Sequence, residues 1–266
     1  MRRTIIGIII AALVAIGGYG IYRGVSNNGN RNIFVKEYVQ NSGDTNNKPN
    51  TNENNMSTKE DNTSTQDNNT QNNSPAETMT PAEALNLLKE GNKRFVEDKS
   101  QLNDVNAARR KELESGQHPY ATVVACSDSR ITPNIVFNAG LGEIFDIRLA
   151  GDVVDDAALG SIEYAVEHLH TPIIVVMGHE NCGAVTAAYD DIVNGQKVHG
   201  HIKDLVEDIK PAINKDETID QAIRKNAENV ANEIREDPVV AQAIKEGKTE
   251  VVTAYYDLDG TVQFNS

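Results

Sequence analysis

Three short apolar-rich runs, Ala121 to Ala125, Glu143 to Leu149 and Ile173 to Met177, constrain this chain more than any other feature. They are too short for independent helices and rich in Val and Ile, which suits strands covered on both faces. Between the last two, Ala158, Ile162, Ala165, Val166 and Leu169 fall on one face of a helix running from Asp155 to Leu169. Strands that alternate with helical patterns predict an α/β domain with a mainly parallel central sheet flanked by helices. In such a sheet ligands collect at the carboxyl ends of the strands, and that is where chemistry is to be sought.

The remaining elements follow from local signals. Thr80-Pro81-Ala82-Glu83 has capping-box spacing with Pro at the first helical position, and Leu85, Leu88 and Phe95 then recur at helical intervals. This predicts an N-terminal helical arm. A second helical stretch runs from Asn106 to Ser115, ended by Gly116, and two more cover Lys203 to Ile209 and Thr218 to Glu246. Glu250 to Tyr256 reads as a strand, and Asp257-Leu258-Asp259-Gly260 as the hairpin turn before Val262 and Phe264.

All of this lies in residues 79–266, which are enough for one domain with a sizeable core. Upstream the composition changes twice. Residues 1–23 begin with Met1-Arg2-Arg3 and continue through an apolar stretch, Thr4 to Tyr22, just long enough to span a bilayer. They read as a membrane anchor or an export signal, and Arg2 and Arg3 favour an N-terminus kept in the cytoplasm. That orientation places the domain outside the cytoplasm, membrane-anchored, or secreted if the segment is cleaved. Residues 24–78 are dominated by Asn, Thr, Asp, Ser and Gln, too polar to offset the entropy of ordering, and are expected to form a disordered linker. The formal net charge of −14, with no basic run, argues against a nucleic-acid partner.

Cys126 ends the first apolar run and His179 the third, with Cys182 three residues after His179. A His-x-x-Cys step at a helix start brings a nitrogen and a sulfur to one point, and a cysteine from a neighbouring strand end can complete a trigonal base. Two cysteines and a histidine form one of the recognised catalytic zinc sets, leaving a fourth position for water. The competing readings are a Cys126–Cys182 disulfide, favoured by an oxidising compartment, and a pair of buried inert thiols.

Cys126-Ser127-Asp128-Ser129-Arg130 together with His179-Glu180-Asn181-Cys182-Gly183 resembles the paired signature of the beta-class carbonic anhydrases. The likeness extends from about Pro81 to Phe264. It implies reversible hydration of carbon dioxide to bicarbonate and a proton by a zinc-bound hydroxide, with Cys126, His179 and Cys182 as metal ligands. It implies catalytic roles for Asp128, which orients the nucleophile, and Arg130, which pairs with it, and a closed state in which Asp128 is the fourth ligand. By the same resemblance Gln117, Phe145, Tyr164 and Gly183 border the substrate, Gln117 across a homodimer or higher homo-oligomer interface. Tyr164 and His168, one helical turn apart, match a proton relay. His118, His170, His199 and His201 carry no spacing beyond that of solvated residues. In Arg148-Leu149-Ala150-Gly151-Asp152, Leu and Asp stand where relatives often have Asn. Rival functions are hydrolysis of carbon disulfide or carbonyl sulfide at the same site, and a non-catalytic, membrane-tethered zinc or bicarbonate sensor, against which Asp128 and Arg130 speak.

Overall fold

The computed structural model describes residues 79–101 and 104–265; the expected anchor or signal (1–23) and linker (24–78) lie outside the described residues. Strands β1 (Ala121–Ala125), β2 (Ile144–Arg148), β3 (Ile173–His179), β4 (Glu250–Tyr256) and β5 (Val262–Asn265) form one sheet in the order β2-β1-β3-β4-β5. The first four are parallel, and β5 returns antiparallel to β4 through the Asp257–Gly260 turn. Every residue of β1 and β3 is buried, which is why their sequences are almost unbroken apolar runs. β2 lies at the sheet edge, so its run is interrupted by Asp146 and Arg148.

Helices cover both faces. On one side α1 (Pro81–Val96) and the short α3 (Pro133–Val136) pack Ala84, Leu88 and Val136 against Val123, Val175 and Val252. On the other, α4 (Asp156–Glu167), α7 (Ile219–Glu236) and α8 (Pro238–Lys245) set Ile162, Ala227, Ile234 and Val240 against Val124, Ile174 and Val176. A third cluster closes the carboxyl end of the sheet, where α5 (Gly183–Val193) and α6 (Ile202–Ile209) pack Val185, Val206 and Ile209 around Cys126, Cys182 and Tyr255. α2 (Ala107–Glu112) lies outside these layers, capped by the Asn106 side chain on Arg109 N.

Two attachments hold the N-terminal arm. Thr80 and Glu83 complete the expected capping box. Farther along, Gly91 lets α1 approach the end of α3 so closely that a Cβ there would sit 1.9 Å from the Phe137 carbonyl oxygen. The adjacent Asn92 is buried, donating to Gly260 O at 2.8 Å and Val136 O at 3.3 Å and accepting from Val262 N at 3.0 Å.

The stretch Thr218 to Glu246 was expected to be helical throughout; it is two helices, α7 and α8, broken at Asp237-Pro238. Pro238 has no N–H and disfavours helical backbone in the residue before it, so Asp237 leaves the helix. Its own N–H closes α7 on Glu233 O and Ile234 O, while its carboxylate accepts from Val239 N at 2.9 Å and Val240 N at 3.0 Å to cap α8. Among the described residues no helix is long and apolar enough to cross a membrane.

Candidate metal centre

β1 and β3 are neighbours in register, Ala125 beside Met177, so the residues that follow each strand emerge side by side. Cys126 is the first residue past β1, His179 the last of β3, and Cys182 the N-cap of α5. The turn between His179 and Cys182 is tight, with Asn181 at φ 56°. Glu180 pins it, its N–H donating to Tyr256 O at 2.9 Å and its carboxylate accepting from Leu258 N at 2.9 Å.

One ligand atom from each of Cys126, His179 and Cys182 lies within 4.8 Å of the others, and all three residues are buried. The cysteines are free, so the disulfide reading does not hold. His179 Nδ1 lies 2.9 Å from Glu180 O. A carbonyl can only accept, so Nδ1 carries the proton and the neutral ring presents a lone pair at Nε2. That Nε2 is buried with no hydrogen-bond partner. A buried imidazole lone pair beside two sulfurs is costly unless a cation takes it, and this donor set suits zinc. The residues fit the metal that the sequence implies.

The electrostatics agree. The Cys126 thiol is pushed down, first by the Cys182 thiol and then, against burial, by His179 and the Gly151 and Asp128 N–H groups. Cys182 is pushed up in turn, chiefly by the Cys126 sulfur and then by burial. Burial lowers the His179 pKa, but the Cys126 sulfur, the Glu180 carbonyl and Asp128 outweigh it and leave it raised.

Asp128 and Arg130 stand on the loop after β1. Arg130 Nε donates to Asp128 Oδ1 at 2.9 Å and Nη2 to Oδ2 at 2.7 Å, and the Arg130 backbone N–H adds a third bond at 2.9 Å. These bonds, the Arg130 side chain first, hold the Asp128 carboxyl well below the usual carboxylate range. Asp128 is therefore an ionised acceptor across the physiological range.

Arg148, to which the sequence assigned no role, clamps this loop from the end of β2. Its guanidinium donates to Cys126 O at 3.2 and 3.1 Å and to Asp128 O at 2.7 Å, tying the loop that bears a ligand and the carboxylate to the neighbouring strand. Its place at a strand end beside Cys126 was the available signal. Gly151, at φ 76°, donates its N–H to Cys126 Sγ at 3.3 Å. Asp152 is fully buried, and burial followed by the nearby Cys126 sulfur pushes its carboxyl up to about 7.

Of the other expected site residues, Gly183 adjoins the cluster, and Gln117, Phe145, Tyr164 and His168 do not. Gly183 opens α5 beside Cys182, its missing Cβ facing open space. Gln117 precedes β1, at the opposite end of that strand from Cys126, in a cleft with Leu113, Ser115 and Leu141. Phe145 pairs with Thr122, four residues before Cys126, which places it about 13 Å back along the sheet at about 3.3 Å per residue. Phe145 and Tyr164 have ring centroids 6.5 Å apart, and Tyr164 and His168 5.0 Å, so these three form their own cluster around the outer face of α4. His201 faces solvent, 3.3 Å from Asp204.

The family model described as carbonic anhydrase matches residues 121–262. "Carbonic anhydrase 2" of Mycobacterium tuberculosis is 39% identical over 185 residues, covering 67% of this chain and 89% of that protein. Among solved structures, the beta-carbonic anhydrase CafA of Aspergillus fumigatus superposes with a TM-score of 0.52 at 26% identity, covering 70% of this chain and 90% of its own. A chain from the crystal structures of two tetrameric beta-carbonic anhydrases of Sordaria macrospora shares the fold, with a TM-score of 0.55 at 24% identity over 66% of this chain and 93% of its own. A signature split between two adjacent strand ends, on a sheet of this order and in a chain this similar to those proteins, has one assignment: the chain belongs to the beta class of the carbonic anhydrase family.

Proposed function

We propose that the protein is a zinc enzyme that interconverts carbon dioxide and bicarbonate. The observation that carries this reading is the unpartnered, buried Nε2 of His179 facing the Cys126 and Cys182 sulfurs, beside an ionised Asp128. Cys126, His179 and Cys182 would hold the metal, which when bound acidifies water to a pKa of about 7 and so supplies hydroxide at neutral pH. Asp128, as a pure acceptor, would receive a hydrogen bond from that nucleophile and so fix the direction of its lone pair. Arg130 keeps Asp128 charged and, by binding both its oxygens, keeps it off the metal. Breaking that pair would free Asp128 to serve as a further ligand to the metal, the closed state.

Gln117, Phe145 and Tyr164 reach a substrate only if they belong to another copy's site, so we take the active form to be at least a homodimer. Exposed Ile135, Leu141 and Tyr164 on the β2 side of the domain support an apolar contact there. In that assembly Tyr164 and His168 form the route for the proton. The N-terminal residues 1–23 and 24–78 then serve as anchor or signal and as linker, carrying the catalytic domain 79–266 outside the cytoplasm.

The test is metal content and carbon dioxide hydration by the purified chain between pH 6 and 9. One zinc per chain and hydration abolished by chelation are the expected results. Zinc-loaded protein that hydrates carbon dioxide no faster than buffer sinks the proposal.

A further inference from the structure

We infer that Asn226, on α7, is a positioning residue for the metal centre, acting on Cys126 through the backbone of Gly151. This rests on the zinc reading above. Asn226 is 2% exposed and far from the ligands in sequence, yet its Nδ2 donates to Gly151 O at 2.8 Å and lies 3.4 Å from Asp152 Oδ2. Gly151 in turn sends its N–H to Cys126 Sγ. The relay has two links, a side-chain amide holding a peptide and that peptide's residue holding the sulfur.

The turn cannot keep its shape unaided. Gly151 and Asp152 are both in left-handed backbone, φ 76° and 49°, and for Asp152 that conformation persists only where its surroundings impose it. Ile209 and Ala184 fill the space where a Gly151 Cβ would be, blocking movement on that side. Asn226 supplies the polar tie on the other. Without its amide, Gly151 O loses its donor, and Asp152, whose Oδ1 is already buried without a partner, loses the contact at Oδ2.

The consequence falls on the sulfur. Two thiolates and a neutral imidazole cancel the charge of a divalent cation, so an N–H aimed at a thiolate is a means of drawing electron density off the sulfur and restoring electrophilicity to the centre. A merely structural amide would affect stability and leave the ligand field alone.

The experiment compares the full-length wild type with Asn226→Leu, similar in volume without polar atoms, and Asn226→Ser, which keeps a shorter donor. Each is loaded with zinc for chelator competition and with cobalt(II) for spectroscopy. In Asn226→Leu the sulfur-to-cobalt charge-transfer band should move to longer wavelength as the sulfur regains electron density, and zinc should bind about 10- to 100-fold more weakly because the sulfur is no longer held in place, with far-UV circular dichroism unchanged. Asn226→Ser should fall between. An Asn226→Leu protein that folds with the wild-type band and zinc affinity overturns the inference. If that variant does not fold, Asn226→Ser decides, and wild-type values in it are equally fatal. A wild type that takes up neither metal refutes the zinc reading itself, an outcome distinct from a metal-binding wild type with indifferent variants.

Discussion

Replacing Arg130 with Gln separates a catalytic ion pair from one that only fixes a turn. The Arg130 side chain is 48% exposed and that of Asp128 17%, so solvent screens the pair despite its two-point geometry. Exposed pairs contribute about 0–1 kcal/mol to stability. For a domain of this size that is a melting shift of about 2–4 °C or less. The rate should respond far more strongly. Misplacing an orienting group by an ångström costs about 100-fold, equivalent to about 2.7 kcal/mol at 1.36 kcal/mol per decade. Stopped-flow hydration with a pH indicator, paired with calorimetry and zinc analysis on the same preparations, reads both quantities. The expected result is kcat/KM down about 100-fold with zinc retained and melting almost unmoved. Arg130→Lys keeps the charge but loses the fork, so it should lie between. Zinc-replete Arg130→Gln with kcat/KM within about twofold of wild type, well short of the loss expected for a misplaced orienting group, would show that the pair merely braces the loop.

Cys182→Ser should lose its zinc to a chelator that leaves the wild type loaded, read by metal analysis after dialysis. Asp237→Ala removes the carboxylate that caps Val239 and Val240, and should cost about 1–2 kcal/mol in denaturant titration without changing kcat. Asp128 has its pKa depressed in the fold, so its contribution to stability is present above the unfolded value of about 3.9 and is lost as pH falls through the lower folded one. Asp128→Asn should therefore lower stability at neutral pH and flatten the acid limb below about pH 4 in a pH series of melts.

The sheet was legible because β1 and β3 are buried on both faces and so have no polar alternation to disguise them. The ligands were legible because they follow directly on those strands. What escaped belongs to residues whose meaning depends on distant backbone. Arg148 is an ordinary strand-end arginine until β1 lies beside β2 and its guanidinium meets the carbonyls of Cys126 and Asp128. Asn226 differs from Asn229 and Asn232 only in its helical spacing, which sets it on the buried face with Ile223, Ala227 and Val230; its partner, Gly151, emerges only when α7 docks on the sheet. The break at Pro238 was visible as a residue but was outweighed by helical periodicity on both sides. Gln117, Phe145 and Tyr164 matched a pattern that the geometry of one chain does not gather at the metal ligands.

The bracket made by Asn92 bears on what happens when the protein is pulled. Any tension arriving from upstream of Met79 enters the domain through α1. There it meets the amide bridging Val136, Gly260 and Val262, and the close seat of Gly91 on the Phe137 carbonyl. The load thus passes into α3 and the β4–β5 hairpin, and none of those residues belongs to the Cys126, His179 and Cys182 cluster. That hairpin also grips Glu180 through Tyr256 O and Leu258 N, so a pull on α1 would reach the turn between His179 and Cys182 through its backbone rather than through the ligand side chains.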